Sequence, residues 1–171
     1  DVALIKDGKA GISFDQRVAD FPVRLPMVDV KTIGAGGGSI AWFDRDGLLK
    51  VGPASAGADP GPACYGFGGT EPTVSDANLV LGRLSQRGLL NGKMALDTKL
   101  SQNAFASISE QLGFTVERTA LGVIGIVVAN MVRAIRAVSV ERGLDPRTFA
   151  LMALGGAGPL HAVDVARVLG I

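Results

Sequence analysis

The chain has 171 residues, of which 47% are hydrophobic and 19% are charged, and its formal net charge is +1. This length and composition fit one folded domain with a real core, and they exclude a disordered segment. The small net charge gives no electrostatic footprint for nucleic acid or for an anionic membrane surface. A single cysteine excludes an internal disulfide, so we expect a reducing, cytoplasmic location.

The first half of the chain is predicted to be rich in β-structure. Asp7-Gly8 is a hairpin turn signal, and Asp44–Gly47 is a second one. Pro22 and Pro26 place the stretch that contains them at a sheet edge or in a connection. The predicted strands are Val2–Lys6, Gly11–Phe14, Val28–Ile33, Ser39–Phe43 and Leu48–Gly52. The loop Pro53–Pro72 that follows is long enough to predict an ordered, functional segment.

The second half is predicted to be helical, with one further strand. The predicted helices are a short one capped by Ser75-Asp76 and running through Leu84, then Ser101–Leu112, Glu117–Arg142 and Pro159–Leu169. Thr148–Leu154 is predicted to be a short strand, which a glycine turn joins to the last helix. The apolar run Ala120–Val132 is too short to span a membrane and predicts a buried helix.

The glycine run Gly34–Ser39 is the first candidate site. It is not a phosphate-binding P-loop, because no Lys-Ser/Thr pair follows at the required spacing. It also fails the dinucleotide pattern, since Ser39 replaces the third glycine and a strand follows where that motif opens a helix. The pattern alone is compatible with a tight structural turn and with a ligand-binding loop.

The second candidate is Leu154–His161, where a strand, a glycine turn and a helix start follow one another. A helix start offers unpaired N–H groups and a partial positive charge to an anion. An ordinary strand-to-helix turn has the same pattern, so both interpretations stand on the residues alone. His161, the only histidine, is either a packing residue or a ligand contact.

Other polar residues have simpler interpretations. Cys64 has no histidine nearby to activate it, which favours a packing thiol. Asp76 is more simply a helix cap than a magnesium ligand, although carboxylates in this region, among them Asp59 and Glu71, could hold Mg²⁺ through water. Arg133 and Arg136 are neighbours on one helix face and could bind a carboxylate or phosphate, but a solvated edge is the simpler interpretation. One histidine and one cysteine exclude a zinc cage from this chain alone.

Two segments resemble the hydantoinase A / 5-oxoprolinase family, which includes N-methylhydantoinases and acetone carboxylase subunits. They are Met27–Arg83, with GAGGGS and TVSDANLVLGR, and the C-terminal string GGAGPLHAVDVARVLGI. The resemblance implies an α/β fold, part of an actin-like ATPase domain built from RNase H-like halves. It also implies that residues 1–171 form a single partial domain, an internal fragment of the C-terminal half of that core. Two departures are Lys31, where family members often have histidine, and TVSDA in place of TVTDA.

The resemblance further implies an ATP-dependent enzyme that phosphorylates and hydrolytically opens a cyclic amide, a lactam or a hydantoin. The alternatives are a subunit of an acetone or acetophenone carboxylase and a non-catalytic nucleotide-binding module of the actin-like type. ATP and Mg²⁺ are the implied cofactors, and Asp1 and Asp29 are candidate ligands for magnesium or water. The implied nucleotide-binding residues are Gly36, Gly37, Gly38, Ser39, Gly155, Gly156, Ala157 and Gly158.

The resemblance also implies a partner, either a hydantoinase B-type subunit or a fused domain. The phosphate loop that precedes this segment in the family is absent, so we expect the isolated chain to lack ATP turnover. Because a partial domain exposes apolar surface and sheet edge, we also expect the isolated chain to self-associate.

Overall fold

The computed structural model describes residues 1–14, 16–18 and 21–171. We refer to residues 1–31 as the β arm, and its described residues form a ribbon of short antiparallel ladders. The pairs are β1 (Val2–Ala3) with β8 (Val30–Lys31), β2 (Ile5–Lys6) with β3 (Lys9–Ala10), β4 (Ile12–Ser13) with β7 (Met27–Val28), and β5 (Gln16–Val18) with β6 (Phe21–Val23). The β5–β6 ladder lies inside the β4–β7 ladder in sequence, and that ladder lies inside the β1–β8 ladder. The β2–β3 hairpin occupies the chain between β1 and β4.

The predicted turn at Asp7-Gly8 is confirmed. Both residues have positive φ, 53° for Asp7 and 72° for Gly8. This is the backbone of the two-residue turns that match the twist of paired strands, and aspartate and glycine tolerate it best. The strands around it are shorter than predicted, because only Ile5–Lys6 and Lys9–Ala10 pair across the turn.

A second hairpin, also as predicted, begins the body of the molecule, residues 39–171. It consists of β9 (Ser39–Phe43) and β10 (Leu49–Ser55), with Phe43 opposite Leu49. The carboxylate of Asp44 accepts hydrogen bonds from the backbone N–H groups of Asp46 (3.0 Å) and Leu48 (2.9 Å), which closes the turn.

Four helices complete the body: α1 (Val74–Val80), α2 (Thr98–Leu112), α3 (Val116–Val138) and α4 (Gly158–Leu169). The first three begin at side-chain caps, which are Thr73, Asp97 and Thr115. The capping explains why α2 starts three residues before the predicted Ser101. The first helix ends at Val80 rather than at Leu84.

The predicted strand Thr148–Leu154 is wrong. A 3-10 turn occupies Pro146–Thr148, and no strand is formed by the residues from Phe149 to the glycine turn. A strand requires a ladder of hydrogen bonds to a neighbour, and this segment pairs with none of the described strands. Two apolar side chains of this segment are also left in solvent, since Met152 is 80% exposed and Leu154 is 76% exposed.

The core is centred on α3, which packs against α1, α2, α4 and β10. Among the described helices, α3 with the turn after it (Val116–Arg142) is the one that is long and apolar enough to cross a membrane. Nine of the residues of α3 are buried inside the body, so its apolar character is that of a core helix. The main cluster of buried residues is Ala41, Val51, Val74, Ala77, Phe105, Ile108, Ala120, Val123, Ile124, Val127, Val128, Val132, Val165 and Leu169.

Candidate functional site

The structure brings the two glycine turns together although about 120 residues separate them in sequence. A Cβ atom built on Gly37 would lie 3.7 Å from the Cβ of Ala157 and 2.7 Å from the Oγ of Ser75. The turn before β9 therefore touches both the start of α1 and the start of α4. The eight residues predicted to bind nucleotide, which are Gly36–Ser39 and Gly155–Gly158, come from these two adjacent turns.

Hydrogen bonds hold the first turn in place through its carbonyl groups. The carbonyl oxygen of Gly37 accepts from the N–H of Ser75 (2.8 Å), and that of Gly38 accepts from the N–H of Ala56 (2.9 Å). The hydroxyl of Ser39 accepts from the N–H of Gly36 (2.9 Å). Within the described residues the N–H groups of Gly37 and Gly38 donate to no protein acceptor. A turn that engages its carbonyls and keeps its N–H groups available can bind an anion.

Close approach crowds several glycines of this turn, most firmly Gly34, which faces backbone. A Cβ on Gly34 would lie 2.9 Å from the Cα of Pro53, and a Cβ on Gly38 would lie 2.7 Å from the Oγ of Ser55. The glycines from Gly34 to Gly38 do not adopt the left-handed backbone conformation. The long loop after β10 does use it, for example at Gly57 and Gly61, where φ is 66° and 73°.

The second turn is open. A Cβ atom on Gly155, Gly156 or Gly158 would meet no atom within 4 Å, and Gly155 has a φ of 82°. No side chain caps the start of α4, and Pro159 stands in its first turn. The helix therefore presents its positive end and uncapped backbone next to an open glycine surface, as anion-binding helix starts do.

Asp76 anchors the long loop after β10 to the helices beside this site. Its buried carboxylate accepts hydrogen bonds from the N–H groups of Ala63 (3.3 Å) and Cys64 (2.8 Å), and from the hydroxyl of Ser101 (2.8 Å). It also completes a capping box with the N–H (3.0 Å) and hydroxyl (2.7 Å) of Thr73. The cap residue is Thr73 and not the predicted Ser75-Asp76, since both of those residues lie within α1 and Asp76 takes part in the capping box from the third helical position. The sequence did not reveal the contacts of Asp76 with the loop and α2.

Burial also sets the protonation state of two other residues, Cys64 and His161. Burial, followed by the neighbouring charge of Asp76, raises the pKa of the Cys64 thiol to about 12. The thiol is therefore protonated at neutral pH and is not a nucleophile, which agrees with the predicted packing role. His161 is fully buried, and neither of its ring nitrogens has a hydrogen-bond partner in the structure.

The charge state of His161 follows from its surroundings. Burial lowers the pKa of its imidazole, the charge of Arg83 lowers it further, and Asp164 opposes both. Arg83 and Asp164 form an ion pair of 2.7 Å between the end of α1 and the second turn of α4. A neutral, fully enclosed imidazole favours the packing role over direct ligand contact.

The two aspartates predicted as magnesium or water ligands lie apart. The carboxylate of Asp29 accepts hydrogen bonds from both terminal guanidinium nitrogens of Arg142, Nη1 and Nη2, the latter at 3.2 Å, and this hydrogen bonding holds the pKa of the Asp29 carboxyl below its usual range. Asp1 is exposed at the opposite end of the β1–β8 ladder, three positions or about 10 Å away along the strand. The described residues contain no cluster of three His, Cys, Asp or Glu side chains suited to a metal. The role of Asp1 and Asp29 in binding magnesium stays a prediction.

Sequence reasoning missed two residues that shape the site. The hydroxyl oxygens of Ser55 and Ser75 would each lie 2.7 Å from a Cβ on Gly38 and Gly37, so a larger residue in the turn would displace them. The sequence pattern predicts Ser75 only as a helix cap, and Ser55 carries no sequence signal. Their position depends on how the end of β10 and the start of α1 fold back onto the turn.

The chain is thus a mixed α/β domain in which two glycine turns meet at a helix start, an arrangement suited to an anion. The model of the hydantoinase/oxoprolinase family matches residues 1–171, so the chain belongs to this family. It is 50% identical to the caprolactamase subunit alpha of Pseudomonas jessenii over 171 residues, which cover 99% of this chain and 25% of that protein.

Solved structures agree with this assignment. The crystal structure of the ATP-dependent caprolactamase from Pseudomonas jessenii matches 93% of this chain and 23% of its own, with a TM-score of 0.85 and 50% identity. Nucleotide-free acetone carboxylase matches 99% of this chain and 24% of its own, with a TM-score of 0.89 and 34% identity. The chain therefore spans about a quarter of the length of these relatives.

Proposed function

We propose that the whole protein is an ATP-dependent cyclic-amide hydrolase that opens a lactam or hydantoin ring, and that this chain supplies two glycine turns of its nucleotide site. The observation that carries the proposal is the contact between the turns, where a Cβ on Gly37 would lie 3.7 Å from that of Ala157. Membership in the hydantoinase/oxoprolinase family and the likeness to an ATP-dependent caprolactamase support the reaction class.

The residues of the site fit a nucleotide. The free N–H groups of Gly37 and Gly38 are donors for phosphate oxygens, and the uncapped start of α4 adds its positive end. A Cβ on Gly155, Gly156 or Gly158 would meet no atom within 4 Å, so a flat group can lie against the backbone there. ATP, when bound, supplies the phosphoryl group that makes the amide carbonyl reactive toward water.

The contribution of this chain to the reaction is positioning and charge stabilisation. Ser75 and Ala56 fix the carbonyls of Gly37 and Gly38, so the N–H groups of the turn are held ready before any ligand arrives. Such preorganised donors stabilise developing negative charge without reorganising during the reaction. The hydrogen bonds of Asp76 keep the neighbouring loop and α1 in register with the turn.

The same proposal includes a magnesium ion, an actin-like fold for the whole domain and a partner subunit. Mg²⁺ usually binds one or two carboxylates plus phosphates, so Asp29 would have to share its carboxylate with Arg142. The chain would be a partial domain from the C-terminal half of an actin-like, RNase H-like ATPase core. A hydantoinase B-type subunit or fused domain would complete the enzyme in the cytoplasm, and the naming of the caprolactamase relative as a subunit supports a partner.

A ketone carboxylase subunit is the second candidate. The likeness to acetone carboxylase, with a TM-score of 0.89, favours it specifically. The two reactions share ATP and differ in the acceptor, since one consumes a cyclic amide and water and the other a ketone and bicarbonate. Phosphate release from the whole protein, assayed with its partner on ε-caprolactam, 5-oxoproline, hydantoin and acetone plus bicarbonate, separates these two possibilities.

The nucleotide site is tested in the whole protein with Gly156→Val. A Cβ at this position meets no atom within 4 Å, and the backbone of Gly156 does not have a positive φ, so we expect folding to be preserved while the ligand surface is filled. We expect ATP affinity, measured by calorimetry, to fall about tenfold or more with an unchanged melting temperature. Gly122→Ala is the control, because Gly122 is equally open but lies on α3 away from the turns.

Equal losses of affinity in both variants, or none in Gly156→Val, would argue against the proposed site. Nucleotide binding without turnover on any acceptor, in the presence of the partner subunit, would favour a non-catalytic nucleotide-binding module. The isolated 171-residue chain should show no magnesium-dependent ATP hydrolysis, and turnover by the pure chain would contradict the assignment of a partial site.

A further inference from the structure

A groove of about 920 Å³ runs between the outer face of α3 and the β9–β10 hairpin. It begins at Gly34 and Ala35, where the first glycine turn starts, and it extends away from the cradle formed by Gly37 and Gly38. Its volume lies within the range of small-molecule sites. The function proposed above does not use this groove.

The walls of the groove combine an aromatic surface with small side chains. Trp42 is held in place because its indole N–H donates to the carbonyl of Gly52 at 2.8 Å, and the rest of the ring remains partly exposed. Ala129 and Ala137 on α3 leave depth opposite the hairpin. An apolar ring or short chain can therefore be enclosed between the indole and the helix.

The polar groups of the groove are unequally compensated. Of the two acidic residues, Asp44 pairs with Lys50 at 3.2 Å, and Glu141 forms no ion pair with a described residue. The cationic residues Lys31 and Arg133 also line the groove, and neither forms an ion pair with a described residue.

An amide group completes the set of polar contacts. The Nδ2 of Asn130 donates to the carbonyl of Val51 at 3.4 Å, which orients the side chain and leaves its oxygen as an acceptor. Asn130 lies three residues before Arg133, so both are on the same face of α3. A guanidinium with free donors next to an apolar wall matches a carboxylate attached to an apolar body.

We propose that this groove is a binding site for a small organic carboxylate, with Arg133 and Lys31 holding the carboxylate and Trp42 covering the apolar part. The site is separate from the nucleotide cradle and shares only the first residues of the glycine turn with it. Recognition depends on charge, so a neutral ligand of the same shape should bind more weakly.

The test is calorimetric titration of the whole protein, without nucleotide, using cyclohexanecarboxylate and the neutral cyclohexanecarboxamide. We expect the carboxylate to bind at least about tenfold more tightly than the carboxamide, and Arg133→Gln to remove about the same factor. Lys31→Gln should cause a smaller loss. Both residues are exposed, and circular dichroism melting verifies that the variants are folded.

Arg136→Gln is the matched control, because Arg136 is an exposed arginine three residues further along α3 that does not line the groove. It should leave carboxylate affinity unchanged. Equal affinity for carboxylate and carboxamide, absence of carboxylate binding, or equal losses in the Arg133 and Arg136 variants would each overturn the proposal. Because no nucleotide is present, these results do not depend on whether the protein hydrolyses ATP.

Discussion

The β arm and the body of this chain are held together in different ways. No described residue before Ser39 is buried, and the arm's ladders are two or three residues long. The body has a continuous core around α3, with Phe105, Val123 and Val127 fully enclosed. The chain's own stability therefore resides in the body, which begins at the end of the first glycine turn and carries the second, while the arm offers apolar surface for contact with something else.

The largest expected change in the free energy of unfolding comes from replacing Asp76, which lies in the body. Asp76→Ala removes the acceptor of five hydrogen bonds and leaves buried donors on Ala63, Cys64, Thr73 and Ser101. Breaking such a buried network costs about 3–5 kcal/mol, which chemical denaturation of the chain would measure.

Asp97→Ala is the matched control for that change. Asp97 also caps a helix, α2, but it is exposed and accepts only from the N–H groups of Lys99 and Leu100. Its loss should cost about 1 kcal/mol, as for an ordinary cap. Similar losses for the two variants would show that the loop contacts of Asp76 add nothing to its capping role.

The next effect is a pH dependence that arises from His161 in the body. Its pKa is lowered in the folded chain, mainly by burial, so the unfolded chain binds more protons once the pH falls below about 6.5. The free energy of unfolding is therefore unaffected by His161 above that pH. It decreases as the pH falls, by up to about 1.4 kcal/mol per pH unit.

His161→Leu tests this dependence because His161 is the only histidine in the chain. The variant replaces two buried nitrogens without partners by an apolar side chain, so its stability should be nearly independent of pH between 7 and 5.5. Urea denaturation at several pH values gives the slope for both proteins. An unchanged slope in the variant would assign the dependence to other groups.

A smaller effect concerns the ion pair that joins the arm to the body. Arg142 binds Asp29 across 113 residues of sequence, and both side chains are partly exposed. Arg142→Gln should cost about 0–1 kcal/mol and raise amide hydrogen exchange in the arm by up to about fivefold. Arg147→Gln is the control, because Arg147 pairs with Asp145 locally within the body. Faster exchange in the arm after both changes would exclude a specific contact.

Much of this architecture follows from local sequence signals. Asp7-Gly8 and Asp44–Gly47 give their hairpins because turn chemistry acts over a few residues. The helices follow from apolar spacing and from capping residues. The strand predicted at Thr148–Leu154 is wrong because an apolar run cannot specify whether a partner strand lies beside it.

The candidate site was predictable only in parts. Each glycine turn stands out in the sequence, but the contact between Gly37 and Ala157 depends on how α1 and α4 pack against α3. The crowding of this turn, by the backbone of Pro53 and by the hydroxyls of Ser55 and Ser75, is equally a matter of tertiary packing. The bonds from Asp76 to Ser101 and to the loop connect segments that no local pattern relates.

The smallest expected effect on stability, with a clear effect on association, comes from the apolar surface of the arm. Phe14 and Phe21 are 64% and 75% exposed, so changing both to serine should alter the free energy of unfolding by no more than about 0.5 kcal/mol each. If the arm drives the expected self-association of the isolated chain, the double variant should shift toward monomer in light scattering across a concentration series. Phe67→Ser is the control, since Phe67 is 63% exposed but belongs to the body. A monomeric parent chain, or an equal shift with Phe67→Ser, would show that the arm is not the associating surface.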